Sequence, residues 1–265
     1  MVMTPRIYLP PEDQRETSVT LDPEQSQYLC QALRLRVGEA LLVFDGGGRR
    51  RRARLVSADR KSAKIELLES EPGLPVGSLA LTLVQGVATG DRMDWIIEKA
   101  VEIGVRTIVP VMCERGGVKL SEDRARKRHL HWQRIAVAAC RQCGRDDLPA
   151  LHPVQALPAW LRQRALPATG TDLSFMMAPG AVASLASLLA ASAAPAASDQ
   201  PPGDADNTTA VTILVGPESG LNQAETDAAI AAGFTPAGLG QRVLRTETAG
   251  LVAATVAQVV LGDLH

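Results

Sequence analysis

A chain of 265 residues, 46% hydrophobic and 22% charged, is long enough to bury a core as one large domain plus a small one, which excludes a protein disordered throughout. No run approaches the roughly 18 uninterrupted apolar residues of a membrane span, and residues 1–10 lack the charged start and apolar centre of a signal peptide. A cytoplasmic location without membrane attachment is expected. The formal charge of −1 excludes a general attraction to nucleic acid, so local basic clusters must supply any affinity of that kind.

In chain order, residues 6–9, 40–44, 49–57 and 62–68 read as strands, being short apolar-rich runs separated by turn residues such as Asp45, Gly46, Gly47 and Gly48. One helix interrupts them, with Asp22 as N-cap, Pro23 at the first helical position and Tyr28, Leu29, Ala32 and Leu33 as its apolar face. The pattern implies a small β-barrel with an inserted helix. Glu71, Pro72, Gly73, Leu74 and Pro75 then break every periodicity, which places a boundary between domains 1–72 and 73–265.

The second domain begins with a continuous apolar strand at 79–84, a helix capped by Asp91 and running to Glu102, and a buried-type strand at 107–112. Ser121 can cap a long helix through Gln142. Residues 173–177, 211–215 and 236–239 read as further strands, and residues 222–232 and 247–261 as helices. This alternation predicts an α/β domain with a largely parallel sheet covered on both faces. A short amphipathic helix is expected at 181–189, with Val182, Leu185, Leu188 and Leu189 inward. Residues 193–209, rich in Ala, Pro, Ser, Asp and Gly, are expected to form a mobile insertion. Trp95 and Trp132, at helical positions, are expected in the core.

Cys140 and Cys143 are spaced like half of a metal or redox motif, but no second ligand pair stands at suitable spacing, so no metal site is expected and two small thiols on an Ala-rich helix is the favoured reading. The run Arg49 to Arg52 reads equally as an exposed hairpin face or as a nucleic-acid patch.

Two segments carry chemistry. The strand at 211–215 runs into Gly216, Pro217, Glu218, Ser219, Gly220 and Leu221, then Asn222 with Glu225 three residues on, a capping box. The glycines allow close backbone approach to a ligand, and Glu218 stands at the carboxyl end of a strand, where open α/β sheets bind ligands. The second segment is Leu239, Gly240, Gln241, Arg242, Val243, Leu244, Arg245, Thr246, Glu247, Thr248 and Ala249. A helix start with Thr246 as cap and Glu247 in the first turn explains part of its polarity, and Arg242 reads as a solvated charge. Arg245, immediately before that cap and beside a glycine-containing loop, is left without a structural explanation.

Together the two segments resemble the C-terminal signature of RsmE-type ribosomal RNA methyltransferases, which act on N3 of a uridine of the small subunit. The resemblance extends to Pro5, Arg6 and Ile7, to Leu33, Arg34 and Gly38, to residues 91–104, and to Trp132, Gln142, Gly144, Arg145 and Pro149. It implies a PUA-like N-terminal barrel and a SPOUT-class catalytic domain with a deep trefoil knot, a rare topology. It also implies a homodimer and S-adenosylmethionine held by Met177, Ala178, Gly216, Pro217, Glu218, Gly220, Leu239, Gly240, Leu244, Arg245 and Thr246. No Gly-x-Gly-x-x-Gly follows a predicted strand, which independently disfavours a Rossmann site. The chain departs from the family pattern at Gln27 and Tyr28, where a histidine pair is usual, at Thr89 for lysine, at Arg141 for glutamate and at Ser219 for glycine.

The N3 proton of uridine must leave before or during attack on the methyl group, so negative charge develops on the ring, and Arg245 is the candidate catalytic cation. Glu218 reads either as a proton acceptor or as a helix-start carboxylate. The target base must be single-stranded or turned out of its stack. Arg6, Arg34, Arg36, Arg115, Lys119 and Arg145 are candidate phosphate contacts. The rival expectations are a related enzyme acting on transfer RNA and a noncatalytic RNA-binding or ribosome-assembly protein.

Overall fold

A computed structural model of the chain describes residues 4–75, 77–117, 120–164, 172–193 and 209–264. Lys119 and most of the predicted insertion at 193–209 lie outside the described residues. The chain divides into two compact units, Met1–Val76 with Val137–Leu148, and Gly77–Ala136 with Pro149–His265.

The first unit is a curled five-stranded sheet of β1 (Arg6–Tyr8), β2 (Ser18–Thr20), β3 (Ala40–Phe44), β4 (Arg49–Ser57) and β5 (Lys64–Pro72), in the order β1-β3-β4-β5-β2. All pairs are antiparallel except β1 with β3. Along β4, Ala53 and Leu55 are buried while Arg54 and Val56 face solvent, the period-two alternation of a sheet with one wet face. Two register irregularities between β4 and β5, at Arg51/Ala53 and Leu55/Ser57, are the kind of bulge that bends a strand and lets a sheet curl. The turn before β4 is built by Asp45, whose Oδ1 accepts from the amides of Gly47 at 2.7 Å and Arg49 at 3.0 Å, with Gly46 and Gly48 at positive φ.

Helix α1 (Pro23–Gln27) begins as expected, with Asp22 accepting from the Gln25 amide at 2.7 Å. It then widens into a π-helical stretch at Tyr28–Ala32. The widening turns the expected apolar face: Ser26 and Leu29 are buried, Tyr28 is half-buried, and Ala32 and Leu33 are exposed. Strand β2 has no counterpart in the sequence reading.

The second unit is a seven-stranded sheet of β6 (Ala80–Gly86), β7 (Thr107–Met112), β8 (Ala150–Leu151), β9 (Gln155–Ala156), β10 (Asp172–Met177), β11 (Ala210–Val215) and β12 (Thr235–Ala237). The main order is β12-β10-β11-β6-β7-β8, with β9 also on β7, and every pairing is parallel. Both faces are covered, as the continuous apolar runs of β6 and β7 require. Val84, Val109, Val111, Met176 and Leu214 form a core with Leu157 and Leu161 of α4 (Leu157–Gln163) and Ala229 of α6 (Gln223–Ala231). On the opposite face lies α7 (Thr246–Leu261), so close that a Cβ on its Gly250 would come within 2.9 Å of the Gln85 side chain and 3.4 Å of Leu83. Helices α2 (Arg92–Glu102) and α5 (Leu185–Ala193) pack against α7, and α3 is Glu122–Cys143.

Several expectations shift. Strand β12 is 235–237, not 236–239, because Gly238 leaves the ladder to donate to the Ala183 carbonyl. Helix α5 starts at Leu185, so Val182 sits in the preceding turn, fully exposed, while Leu185 and Leu189 are buried. Asp91 precedes α2 but its side chain makes no capping hydrogen bond. Trp132 is buried and donates to Asp94 at 3.0 Å, whereas Trp95 is 46% exposed and is not core. Helix α4 and strands β8 and β9 were not foreseen. Among the described residues no helix is long and apolar enough to cross a membrane.

Candidate active site

At the carboxyl ends of β10, β11 and β12 the second unit opens into a cavity of about 620 Å³, the position where ligands bind in open parallel sheets. Three segments line it. Met177 and Ala178 follow β10; Gly216, Pro217, Glu218 and Gly220 follow β11; Leu239, Gly240, Leu244, Arg245 and Thr246 join β12 to α7. The structure thus brings together all the candidate cofactor residues and Arg245. Arg92, Arg242, Val243, Glu247 and Ala249 join them.

Backbone proximity makes this shape possible. A Cβ on Gly86, at the end of β6, would stand 2.5 Å from the Pro217 nitrogen, so only glycine lets the loop after β11 close over the strand. Gly220 and Gly240 adopt φ of 69° and 100°, a region that L side chains avoid. The amide of Gly220 donates to the Pro217 carbonyl at 2.8 Å. The predicted capping box is present: Asn222 accepts from the Glu225 amide at 2.8 Å, and Glu225 accepts from the Asn222 amide at 2.9 Å. Glu225 also accepts from the Glu114 amide at 2.7 Å, and Ser219 donates to the Arg115 carbonyl at 2.6 Å.

Thr246 is not the N-cap. It is the first helical residue of α7, and Arg245 holds the cap position without a side-chain capping bond. The buried Thr246 hydroxyl donates to the Gly216 carbonyl at 2.6 Å and accepts from the Gln85 side-chain amide at 2.8 Å. This chain of bonds joins the end of β6, the loop after β11 and the start of α7, fixing Arg245 at the cavity mouth.

Glu218 is anchored at the wall. It accepts from the Thr89 amide at 2.8 Å, the Thr89 hydroxyl at 2.7 Å and the Arg92 guanidinium at 2.9 Å. Partial burial alone would raise its pKa, but the two bonds from Thr89, aided by Arg92, hold it below the usual carboxylate value. A carboxylate so stabilised is a poor proton acceptor, which favours the anchoring reading over the basic one. Arg92 also lies 3.6 Å from Glu247, whose Oε2 is buried without a partner among the described residues. Arg242 and Arg245 are exposed and form no ion pair among the described residues.

The candidate phosphate contacts among the described residues differ in exposure. Arg6 is buried, donating to Asp146 at 2.6 Å and to the Arg145 carbonyl at 2.9 Å, so it is a structural cation rather than a surface contact. Arg145 is half-buried and held by Asp147 through bonds of 3.2 and 2.6 Å. Arg34, at φ 55°, Arg36 and Arg115 are exposed. In the 49–52 run, Arg50 and Arg52 both pair with Glu71, and Arg51 donates to the carbonyls of Leu68 and Gln14. Most of that run supports the hairpin.

Comparison with known proteins accords with this architecture. Residues 76–258 match an RNA methyltransferase domain family and residues 21–68 an RNA methyltransferase PUA domain family. The chain is 32% identical to ribosomal RNA small subunit methyltransferase E of Synechocystis, over 95% of this chain and 76% of that protein. Among solved structures it resembles ribosomal RNA small subunit methyltransferase E from Neisseria gonorrhoeae bound to S-adenosyl methionine, at 33% identity and TM-score 0.82, covering 98% and 99% of the two chains. A protein from Legionella pneumophila in complex with the cofactor SAM aligns at 31% identity and TM-score 0.84, covering 99% of this chain and 100% of that one.

Proposed function

The chain belongs to the RNA methyltransferase family, and from that premise we propose that it uses S-adenosylmethionine to methylate N3 of one uridine in small-subunit ribosomal RNA. The observation that carries the reading is the convergence of the 216–221 and 239–246 segments on one cavity at the strand ends. The cavity suits the cofactor. Its size is that of a small-molecule site, and Leu239, Leu244 and Pro217 offer apolar walls to a purine.

When bound, the cofactor supplies an electrophilic methyl group. The protein supplies orientation and charge. Gly216, Gly220 and Gly240 bring backbone close to the ligand, and the Gln85–Thr246–Gly216 chain holds the two loops in register. Arg245 stabilises the anion that develops on the uracil ring as the N3 proton passes to water. Glu218 remains ionised and keeps Arg92 in place. The same reading carries a PUA-like domain at 1–72, a catalytic domain at 73–265 threaded as a trefoil knot, a homodimer, action on the assembled small subunit, and a cytoplasmic location.

The test is methyl transfer from labelled S-adenosylmethionine to small subunits from cells lacking the modification, with nucleosides resolved by mass spectrometry. N3-methyluridine is the expected product. Transfer only to transfer RNA, or no cofactor binding, would sink the reading in favour of a transfer RNA enzyme or a noncatalytic protein.

A further inference from the structure

Helix α3 carries a row of basic residues remote in sequence from the cavity loops. Arg124, Lys127, His131 and Arg134 recur at intervals of three, four and three residues and are all exposed, so they form one stripe along a helix face. The stripe is about 15 Å long at about 1.5 Å per residue. Among the described residues Arg124, Lys127 and Arg134 form no ion pair; on the same helix only Arg126 meets a carboxylate at its own turn, Asp123 at 3.4 Å. Cations left unpaired at this spacing match the regular charges of a phosphate chain.

A second observation points to the same ligand. Asp94 of α2 accepts from the buried Trp132 indole at 3.0 Å through one oxygen and lies 2.7 Å from His131 Nε2 through the other, which fixes α2 beside the stripe. The next residue of α2, Trp95, is 46% exposed, and Leu130 beside His131 is 51% exposed. A 46% exposed indole on the residue that follows Asp94, itself bonded to His131 and Trp132 of α3, supplies with the basic row the two elements that bind single-stranded nucleic acid, an aromatic face for a base and charge for the backbone.

We propose that this face of α3, with Trp95, is a track for single-stranded RNA, in which Arg124, Lys127 and Arg134 neutralise phosphates and Trp95 stacks on a base. The proposal rests on the RNA-modifying reading and assigns it binding residues other than Arg34, Arg36 and Arg115. The surface would hold the strand flanking the target while the cavity holds the target itself.

The experiment follows binding of a fluorescent oligouridylate of about 12 nucleotides to the full chain by anisotropy across a salt series. Wild type is compared with the triple variant Arg124→Gln, Lys127→Gln, Arg134→Gln and with Trp95→Ala. At about 0.7 per phosphate contact on a single strand, the triple variant is expected to lower the slope of log K against log salt by about two. Trp95→Ala is expected to weaken binding about fivefold or more with little change in slope. Calorimetric titration of S-adenosylmethionine runs in parallel: loss of cofactor binding in wild type counts against the enzymatic reading, whereas the slopes judge the track. No binding by wild type, or an unchanged slope in the triple variant, overturns the proposal. Trp95→Ala that binds RNA as wild type but loses dimer mass overturns the stacking role and assigns the indole to a contact between copies.

Discussion

At the residue scale, several positions that depart from the family pattern have found partners. Thr89 stands where lysine is common, and it gives Glu218 both its amide and its hydroxyl. Tyr28 replaces a histidine and Arg141 a glutamate, and the Arg141 guanidinium lies 3.8 Å from the Tyr28 ring centroid, a cation–π contact in place of the residues lost. Sequence made Glu218 visible as a carboxylate at a strand end, but Thr89 is 129 positions away, so the bonds that decide its protonation could not be read. Those bonds have a pH consequence. A carboxyl held below its unfolded value of about 4.3 stabilises the fold above that pH and loses the contribution as pH falls through its lower folded value. Thermal unfolding of wild type and Glu218→Gln should therefore differ at neutral pH and converge in acid; a gap that persists unchanged below pH about 3 would show that charge is not what Glu218 contributes.

At the element scale, long apolar runs were legible because burial on both faces leaves no alternative to a parallel strand, as in β6, β7 and β11. Short elements were not. Strand β12 has three residues, one of them Pro236, and its frame is set by pairing with β10 rather than by its own pattern. Helix α4 hides behind a proline at its second position and shows only Leu157 and Leu161 as a buried pair. Asn222 and Glu225 were legible as a capping box because that device is local, whereas Thr246 looked like a cap and instead bonds Gly216, 30 positions earlier. The contact between β6 and the loop after β11 leaves no room for a side chain. Gly86→Ala should displace the Gly216–Pro217 turn, since its Cβ would meet the Pro217 nitrogen at 2.5 Å, and should weaken S-adenosylmethionine binding measured by calorimetry by tenfold or more, on the order of 1.4 kcal/mol. Wild-type affinity would mean that the turn does not contact the cofactor.

At the scale of the whole molecule, alternation of strand and helix predicted the α/β class and the change of pattern near Glu71 a second unit, but the grouping of Val137–Leu148 with the first unit was invisible. That grouping depends on Asp146, a buried carboxylate that accepts from Arg6 and from the Leu74 amide at 2.8 Å, contacts 72 and 140 residues apart in sequence. The cavity was legible for a different reason: of the three segments that line it, 216–220 and 239–246 each carry a local signature of glycines and polar residues that can be read without knowing what they meet in space. Arg245, at the mouth of that cavity, is the residue whose loss bears most directly on what the cavity does. The decisive measurement is single-turnover methyl transfer to small ribosomal subunits at saturating S-adenosylmethionine, comparing wild type with Arg245→Ala, with thermal unfolding of both proteins alongside. A fall in rate of about 10²-fold or more with an unchanged unfolding temperature is the predicted result; normal turnover by Arg245→Ala would contradict the assignment of the guanidinium to the developing charge.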